Sequence, residues 1–388
     1  MKKSVIVLMS LLCSVGCNRG GLSKSQKVAS EVTIGNHKLI VCDRLLLKDT
    51  VSLPLSYFAE ELKMVKLEMS DEAVVSNWGA VVVGEQYVLI GAAQNNPSKL
   101  FTIDGKFVTN IGSIGRGPGE YRNVYDQILD EKNNRIYLLP WSSQSILVYD
   151  LKGNVLDPIR LPVNVPKGKF FIDPSGTVSV FTLSFTGSQY VAWTQTMSGE
   201  VISGIEPGHF AVRPDFSHEI LSGKNISGMD VFMLNIFKRQ DTLYHYNSKT
   251  NRLLPQFALK QSNTEFVYGC IELPKHYMGV FSEMKQVSAN MSQGYNHTFF
   301  VVEKSTLNGS YFKLKNDYIG DMEIEWPTER FSNGYFIQNY DPGDLLEDVE
   351  KALKNKDLSS AMRQKLTQLK NSISEKDNNY IFYSRLKK

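Results

Sequence analysis

Hydrophobic positions along this chain come in short runs rather than long periodic stretches. Val32–Ile34, Lys38–Cys42, Ala80–Val83, Tyr87–Ile90, Lys99–Ile103 and Phe107–Ile111 are apolar and β-branched, and turn residues separate them. Runs of this length and spacing predict strands of a sandwich, barrel or propeller. Spacing suited to an amphipathic helix is almost absent before residue 340.

The runs repeat as units. Ala80–Ile111 holds a strand, a gap, a second strand and a Gly turn before a last strand, and Tyr125–Leu161 repeats that order. The turn glycines Gly105 and Gly153 lie about 48 residues apart, and Gly199 follows about 46 residues later, the period of one propeller blade. A fourth unit, Met229–Leu259, keeps the pattern with Asn247–Thr250 as its turn, a fifth at His297–Asp317 is weaker, and a sixth combines Gly334–Tyr340 with Asn379–Leu386. Each unit is a meander with two faces to bury, and stacking such units around an axis buries both. The predicted fold is therefore all-β: a six-bladed β-propeller over residues 31–388. Val32–Cys42 and Tyr380–Tyr383 are expected to share the blade that closes the ring. Asp341 to Asp377 breaks the pattern, with Leu345, Val349, Ala352 and Leu353 followed by Leu358, Met362, Leu366, Leu369 and Ile373. These positions predict two amphipathic helices, a C-terminal helical insertion at 341–377 packed on the rim.

The start reads differently. Met1–Cys17, MKKSVIVLMSLLCSVGC, has a basic opening and an apolar run too short to span a bilayer. Small residues then precede Cys17, which resembles a bacterial lipobox with Ser14 where Leu is usual. Residues 1–16 are read as a lipoprotein signal peptide, Cys17 as the lipid attachment site and 17–30 as a polar tether. The alternative is an ordinary secretory leader cut near Gly16. Both readings export the mature chain, and the first places it in the cell envelope, held to the bacterial membrane by lipid and facing the periplasm or the cell surface. Losing Lys2 and Lys3 with the leader takes the formal charge from +3 to 3 − 2 = +1, which gives no electrostatic case for a nucleic-acid partner. Cys42 and Cys270 remain; they are read as buried small hydrophobes, with pairing in an oxidising compartment as the alternative.

Ile111–Tyr121, IGSIGRGPGEY, closely resembles a segment of six-bladed β-propeller lipoproteins of anaerobic Gram-negative bacteria, a family similar to NHL-repeat propellers and largely without assigned function. The resemblance extends through YDQILDEKNNRIYLLPWSSQSILVYDLKGNVL and LTQLKNSISEKDNNYIFYSRLK, nearly the whole mature chain. Trp78 stands where the family more often has an aliphatic residue, and Glu219–Asn296 diverges. The resemblance implies the fold and no activity.

Chemistry is sparse in the residue pattern. Gly112–Gly119 could form an anion-binding nest, with Arg116 gripping a carboxylate or phosphate and Glu120, Tyr121, Tyr125 and Trp141 nearby. The plainer reading is a tight crossover between blades, with Arg116 and Glu120 satisfying nearby backbone or each other. The six histidines make no metal-ligand spacing, His209 and His218 around Asp215 being the closest pair. Asp126, Asp130, Glu131 and Asp173 are read as bonding turn backbones. No nucleophile motif is present, and no cofactor is implied. The expectation is a non-enzymatic module for a small-molecule, glycan or envelope-protein partner. A hydrolase or lyase with residues drawn from several blades is the alternative, and a structural envelope protein docking through its helices is a third.

Overall fold

The computed structural model describes residues 22, 25–93, 95–215, 217–235, 242–260, 266–288 and 291–388. Among them the strands form six blades around an axis, in the order that the sequence period predicts. Blade 1 is Val81–Val83, Tyr87–Ile90, Ser98–Thr102 and Phe107–Ile111. Blade 2 is Val124–Asp130, Arg135–Pro140, Ser143–Tyr149 and Val155–Val165. Blade 3 is Gly168–Ile172, Thr177–Thr182, Ala192–Thr196 and Val201–Ile205. Blade 4 is Glu219–Leu221, Met229–Leu234, Thr242–Asn247 and Arg252–Lys260. Blade 5 is built on Phe266–Glu272, His276–Ser288, Met291–Glu303 and Gly309–Asn316. Blade 6 is Phe331–Ser332, Tyr335–Tyr340, Tyr380–Arg385 and Lys63–Lys66.

Middle strands are covered on both faces by neighbouring blades, so they do not alternate in polarity. Val178 to Thr182 in blade 3 is buried at every position, and Trp193 beside it is sealed, its Nε1 donating to Gln195 Oε1 at 2.7 Å. Such runs satisfy the requirement that both faces of a blade be packed.

Ring closure differs from the sequence expectation. Lys63–Lys66, not Val32–Cys42, pairs with the C-terminal strand, with Val65 opposite Ile381. The hairpin Ala29–Ile34 and His37–Asp43 lies instead on the outer edge of blade 4, parallel to Arg252–Lys260. Thr50–Pro54 then lies parallel to Gly309–Asn316 on blade 5. The first described segment thus lines three consecutive blades before the ring begins, and covers edges that would otherwise present unpaired amides. Within the stretch read as tether, Leu22 and Val28 are buried in the core. The signal peptide and Cys17 lie outside the described residues. Cys42 and Cys270 are free thiols buried in one hydrophobic cluster, and burial pushes Cys42 up to about 12.

The helical insertion joins the second and third strands of blade 6. Its helices are Pro342–Leu353, capped by Asp341, and Ser360–Ser372, capped by Ser359. Arg363 ties them together by donating to Leu353 O at 2.7 Å and Asn355 O at 2.8 Å, which satisfies carbonyls left open at a helix end. Leu345, Val349, Leu366 and Leu369 enter a core with Phe336, Tyr340 and Tyr380. No helix among the described residues is long and apolar enough to cross a membrane.

Candidate functional site

The Gly-rich segment is a crossover from blade 1 to blade 2, in which Ser113–Ile114 pairs in parallel with Glu120–Tyr121. Glu120 folds back into the loop, and its Oε2 accepts from Arg116 N at 2.9 Å and Gly117 N at 2.7 Å. The anion position of the nest is thereby held by the chain's own carboxylate, and these backbone amides keep Glu120 below the usual carboxylate range. A Cβ on Gly115 would stand 1.9 Å from that oxygen, so the residue must be glycine while Glu120 sits there. Gly112 has φ +66° and packs against Tyr149 Oη and Tyr121, a conformation open to glycine. Tyr121 is buried; its hydroxyl donates to Ile111 O and accepts from Ser98 N at 2.8 Å. Arg116 is exposed on the loop. Glu120, Tyr121 and Trp141 line a groove of about 550 Å³ on blade 2 together with Pro118, Val155 and Pro158, and Arg116 does not.

A second cavity lies on the propeller axis. It encloses about 620 Å³, within the usual range for small-molecule sites. Innermost strands build much of it: Val81 and Val82 from blade 1, Val124 to Gln127 from blade 2 and Lys169 from blade 3; the turn entering blade 6 adds Glu329 and Arg330, and blade 6 itself adds Ser332, Asn333 and Ile337.

The first turn of blade 4 makes its floor. Lys224 has φ 51°, and its N–H and that of Gly223 bond Asp230, at 2.9 Å each. Asn225 Nδ2 donates to Glu272 O and Phe331 O, both at 3.1 Å, and its Oδ1 accepts from Gly334 N at 3.0 Å. Asn333 N also donates to Gly223 O at 2.8 Å. The turn is therefore laced to blades 5 and 6, while the Lys224 side chain crosses toward blades 2 and 3. An adjoining cavity of about 320 Å³ shares Lys169, Ser222, Gly223, Glu329 and Ser332.

Charge concentrates at this floor. Lys224 Nζ lies 2.7 Å from Asp126 Oδ2, and Lys169 Nζ lies 3.7 Å from Oδ1 of the same carboxylate. Asp126 also accepts from Phe170 N at 2.9 Å. Burial pushes Lys224 below the ordinary lysine value, and Asp126 opposes that shift. Glu329 is raised by burial, with Arg330 opposing. The mouth is aromatic: Trp78 is 80 % exposed on the loop entering blade 1 and lines the chamber. A ladder of amides fixes that loop, Asn379 Nδ2 donating to Asn77 Oδ1 at 2.7 Å and Asn339 Oδ1 at 2.8 Å. Asp344, from the helical insertion, completes the rim.

Tyr125 lines the chamber and Trp141 the blade 2 groove, their ring centroids 6.0 Å apart. Lys167, buried, places Nζ 4.8 Å from the centroid of the Trp141 ring and pairs with Glu219, which also accepts from Tyr125 Oη at 2.6 Å.

The four turn carboxylates divide. Glu131 accepts from Glu85 N, Gln86 N and Tyr87 N across the blade 1–2 seam, Asp130 from Asn133 N and Asp173 from Ser175 N. Asp126 instead faces the axis. Lys169, Lys224 and Arg330 escaped sequence reasoning altogether, because they come from three blades with no shared local motif. No group of three or more His, Cys, Asp or Glu suited to a metal occurs among the described residues. His209 stacks on Phe210, centroids 4.1 Å apart, and His218 is buried.

Residues 40–385 match the profile of a family described as a domain of unknown function, DUF4934. A protein from Bacteroides fragilis NCTC 9343, described as a candidate exported protein, is 17 % identical with a TM-score of 0.60, over 90 % of this chain and 100 % of that one. A member of the DUF4221 family from Bacteroides vulgatus is 11 % identical over 85 % of this chain and 97 % of that one, with a TM-score of 0.43. The first likeness carries the fold, and the second is too low to carry an argument. No curated protein matches the chain.

Proposed function

The chain belongs to the DUF4934 family, and since that description assigns no activity, we propose from the axial chamber that it is a binding protein for a small polar ligand, exported and held at a membrane through lipid on Cys17. The observation that carries this reading is the chamber itself. Amides, hydroxyls and charged groups from four blades and the blade 4 turn converge on one recess with an exposed tryptophan at its mouth. A concave site with a few convergent polar groups is the ordinary form of a ligand pocket, and the exposed face of Trp78 offers a flat apolar platform for the ring of a sugar or similar compound. The Gly-rich loop is less suited to the task, because Glu120 fills it.

Titrating the protein with a library of polar metabolites and sugars, read by tryptophan fluorescence, tests the chamber. Binding is expected for at least one class, with affinity falling about tenfold or more in Trp78→Ala at unchanged thermal stability, since Trp78 buries little. Binding that survives this substitution, or no binding across the library, refutes the assignment.

The anchor rests on the leader Met1–Cys17, and export is also supported by the description of the Bacteroides fragilis relative. One acyl-modified cysteine replaces a spanning helix as the membrane attachment. Cys17→Ser is expected to move the protein from the membrane to the soluble fraction. Retention of the variant in the membrane would refute lipidation at this cysteine.

A further inference from the structure

Two cations of the chamber are incompletely paired by the protein's own carboxylates. Asp126 is the one acid facing two ammonium groups, and its Oδ2 is already taken by Lys224 and by Phe170 N. Lys169 is left 3.7 Å from the other oxygen, outside hydrogen-bond length, with one long bond of 3.5 Å to Tyr125 O. Arg330 has a buried Nε without a hydrogen-bond partner and makes no ion pair among the described residues. Its neighbour Glu329 is an exposed carboxylate of the chamber wall that makes no ion pair with Arg330 among the described residues, and desolvation raises it with Arg330 opposing. Asp230 lies behind the floor turn, spent on Ser222 Oγ and the N–H groups of Gly223 and Lys224, and Asp344 stands out at the rim.

Lys169 and Arg330 thus line the same recess without a full complement of acceptors, in surroundings where an unpaired buried donor is costly. Gln127 supplies the complementary vacancy: it is 5 % exposed, its Nε2 donates to Ala80 O at 2.9 Å, and its Oε1 has no partner. That oxygen is closed off against Gly91, so it accepts from a ligand hydroxyl once the Gln127 amide turns toward the chamber.

We infer that the ligand of the axial chamber is a hydroxylated compound bearing one acidic group, a carboxylate or a phosphate monoester, which Arg330 and Lys169 hold while Gln127 accepts from a hydroxyl. The inference rests on the chamber being the binding site and adds the ligand's charge. Arg330 presents a planar fork that matches either oxyanion, and Lys169 adds a second charge-assisted bond. Asp126 keeps Lys224 in the floor, so the turn stays intact whether or not ligand is bound.

The same titration decides the matter when it is scored in matched pairs on the full-length protein in detergent: D-glucuronate against D-glucose, and D-glucose 6-phosphate against D-glucose. The acid of at least one pair is expected to bind about tenfold or more tightly than glucose, and to weaken by a similar factor in Arg330→Gln and in Lys169→Gln. Whichever acid is favoured tells carboxylate from phosphate. Equal binding of acid and neutral partner, or a preference for glucose, overturns the inference and leaves the chamber reading standing. Acid preference that persists unchanged in both variants also overturns it. Absence of any binding across these compounds and the wider library overturns both. The pairwise comparison in the unaltered protein holds even if a variant fails to fold.

Discussion

His276 shows how burial can dominate a titration, with Glu303 opposing and Lys304 and Lys275 adding to it. It is 5 % exposed between Tyr57 and Phe58, with ring centroids 5.2 and 5.1 Å away, and its Nε2 meets Tyr57 Oη at 3.2 Å. Burial lowers it to about 4 from an ordinary value near 6.5. Between these values the unfolded chain binds a proton that the folded chain refuses, so stability rises with pH across this window. Acidification from about 6.5 to 4 should therefore remove on the order of 2–3 kcal/mol through this residue. Urea unfolding at both pH values should show a smaller acid loss in His276→Gln than in the unaltered protein, and equal losses would contradict this account. Single residues were only partly legible in the sequence. Gly112, Gly115 and Glu120 advertise a special loop, and the plainer reading of it, a crossover with Glu120 bonding nearby backbone, is the arrangement found, Arg116 and Gly117 donating to Glu120. Asp126, Lys169, Lys224 and Arg330 meet only because four separate blades and turns point at one axis, and their sequence separations carry no period.

Elements were more legible, because strand and helix periods are local. The turn glycines Gly105 and Gly153 mark corresponding positions in blades 1 and 2, and both take positive φ, +90° and +84°. The helical insertion was visible for the same reason, since Leu345, Val349, Leu366 and Leu369 fall on two apolar faces. Partner choice was not visible. Lys63–Lys66 is four residues long with two lysines, and nothing in it distinguishes a closing strand from a loop until the C-terminal strand lies beside it. The insertion's stability comes from its buried face. Leu366 is fully buried, and Leu366→Ala should cost about 2–5 kcal/mol by denaturant titration. Glu350→Ala, which removes a solvent-exposed pair with Lys370 at 2.8 Å, should leave stability unchanged within error. A larger loss from Glu350→Ala than from Leu366→Ala would contradict this division.

At the scale of the whole molecule, the ring explains why sequence reasoning reached the fold and stopped short of the site. Blade count follows from a repeat that any one blade displays, whereas the chamber exists only after the sixth blade closes on the first. Closure joins an early strand to the last one, Lys63–Lys66 against Tyr380–Arg385, and the turn of blade 4 contributes Ser222, Gly223 and Lys224 to the chamber. Trp78 is exposed at the edge of the resulting chamber, and Lys169, Lys224 and Arg330 line it. Of all possible measurements, a crystal structure of the protein soaked with the tightest-binding compound of the titration tests this account most directly. Ligand density on the axis, against Arg330 and Lys169 with its ring toward Trp78, is the predicted result; density in the Gly117–Trp141 groove of blade 2, with the axial chamber unchanged, would contradict it.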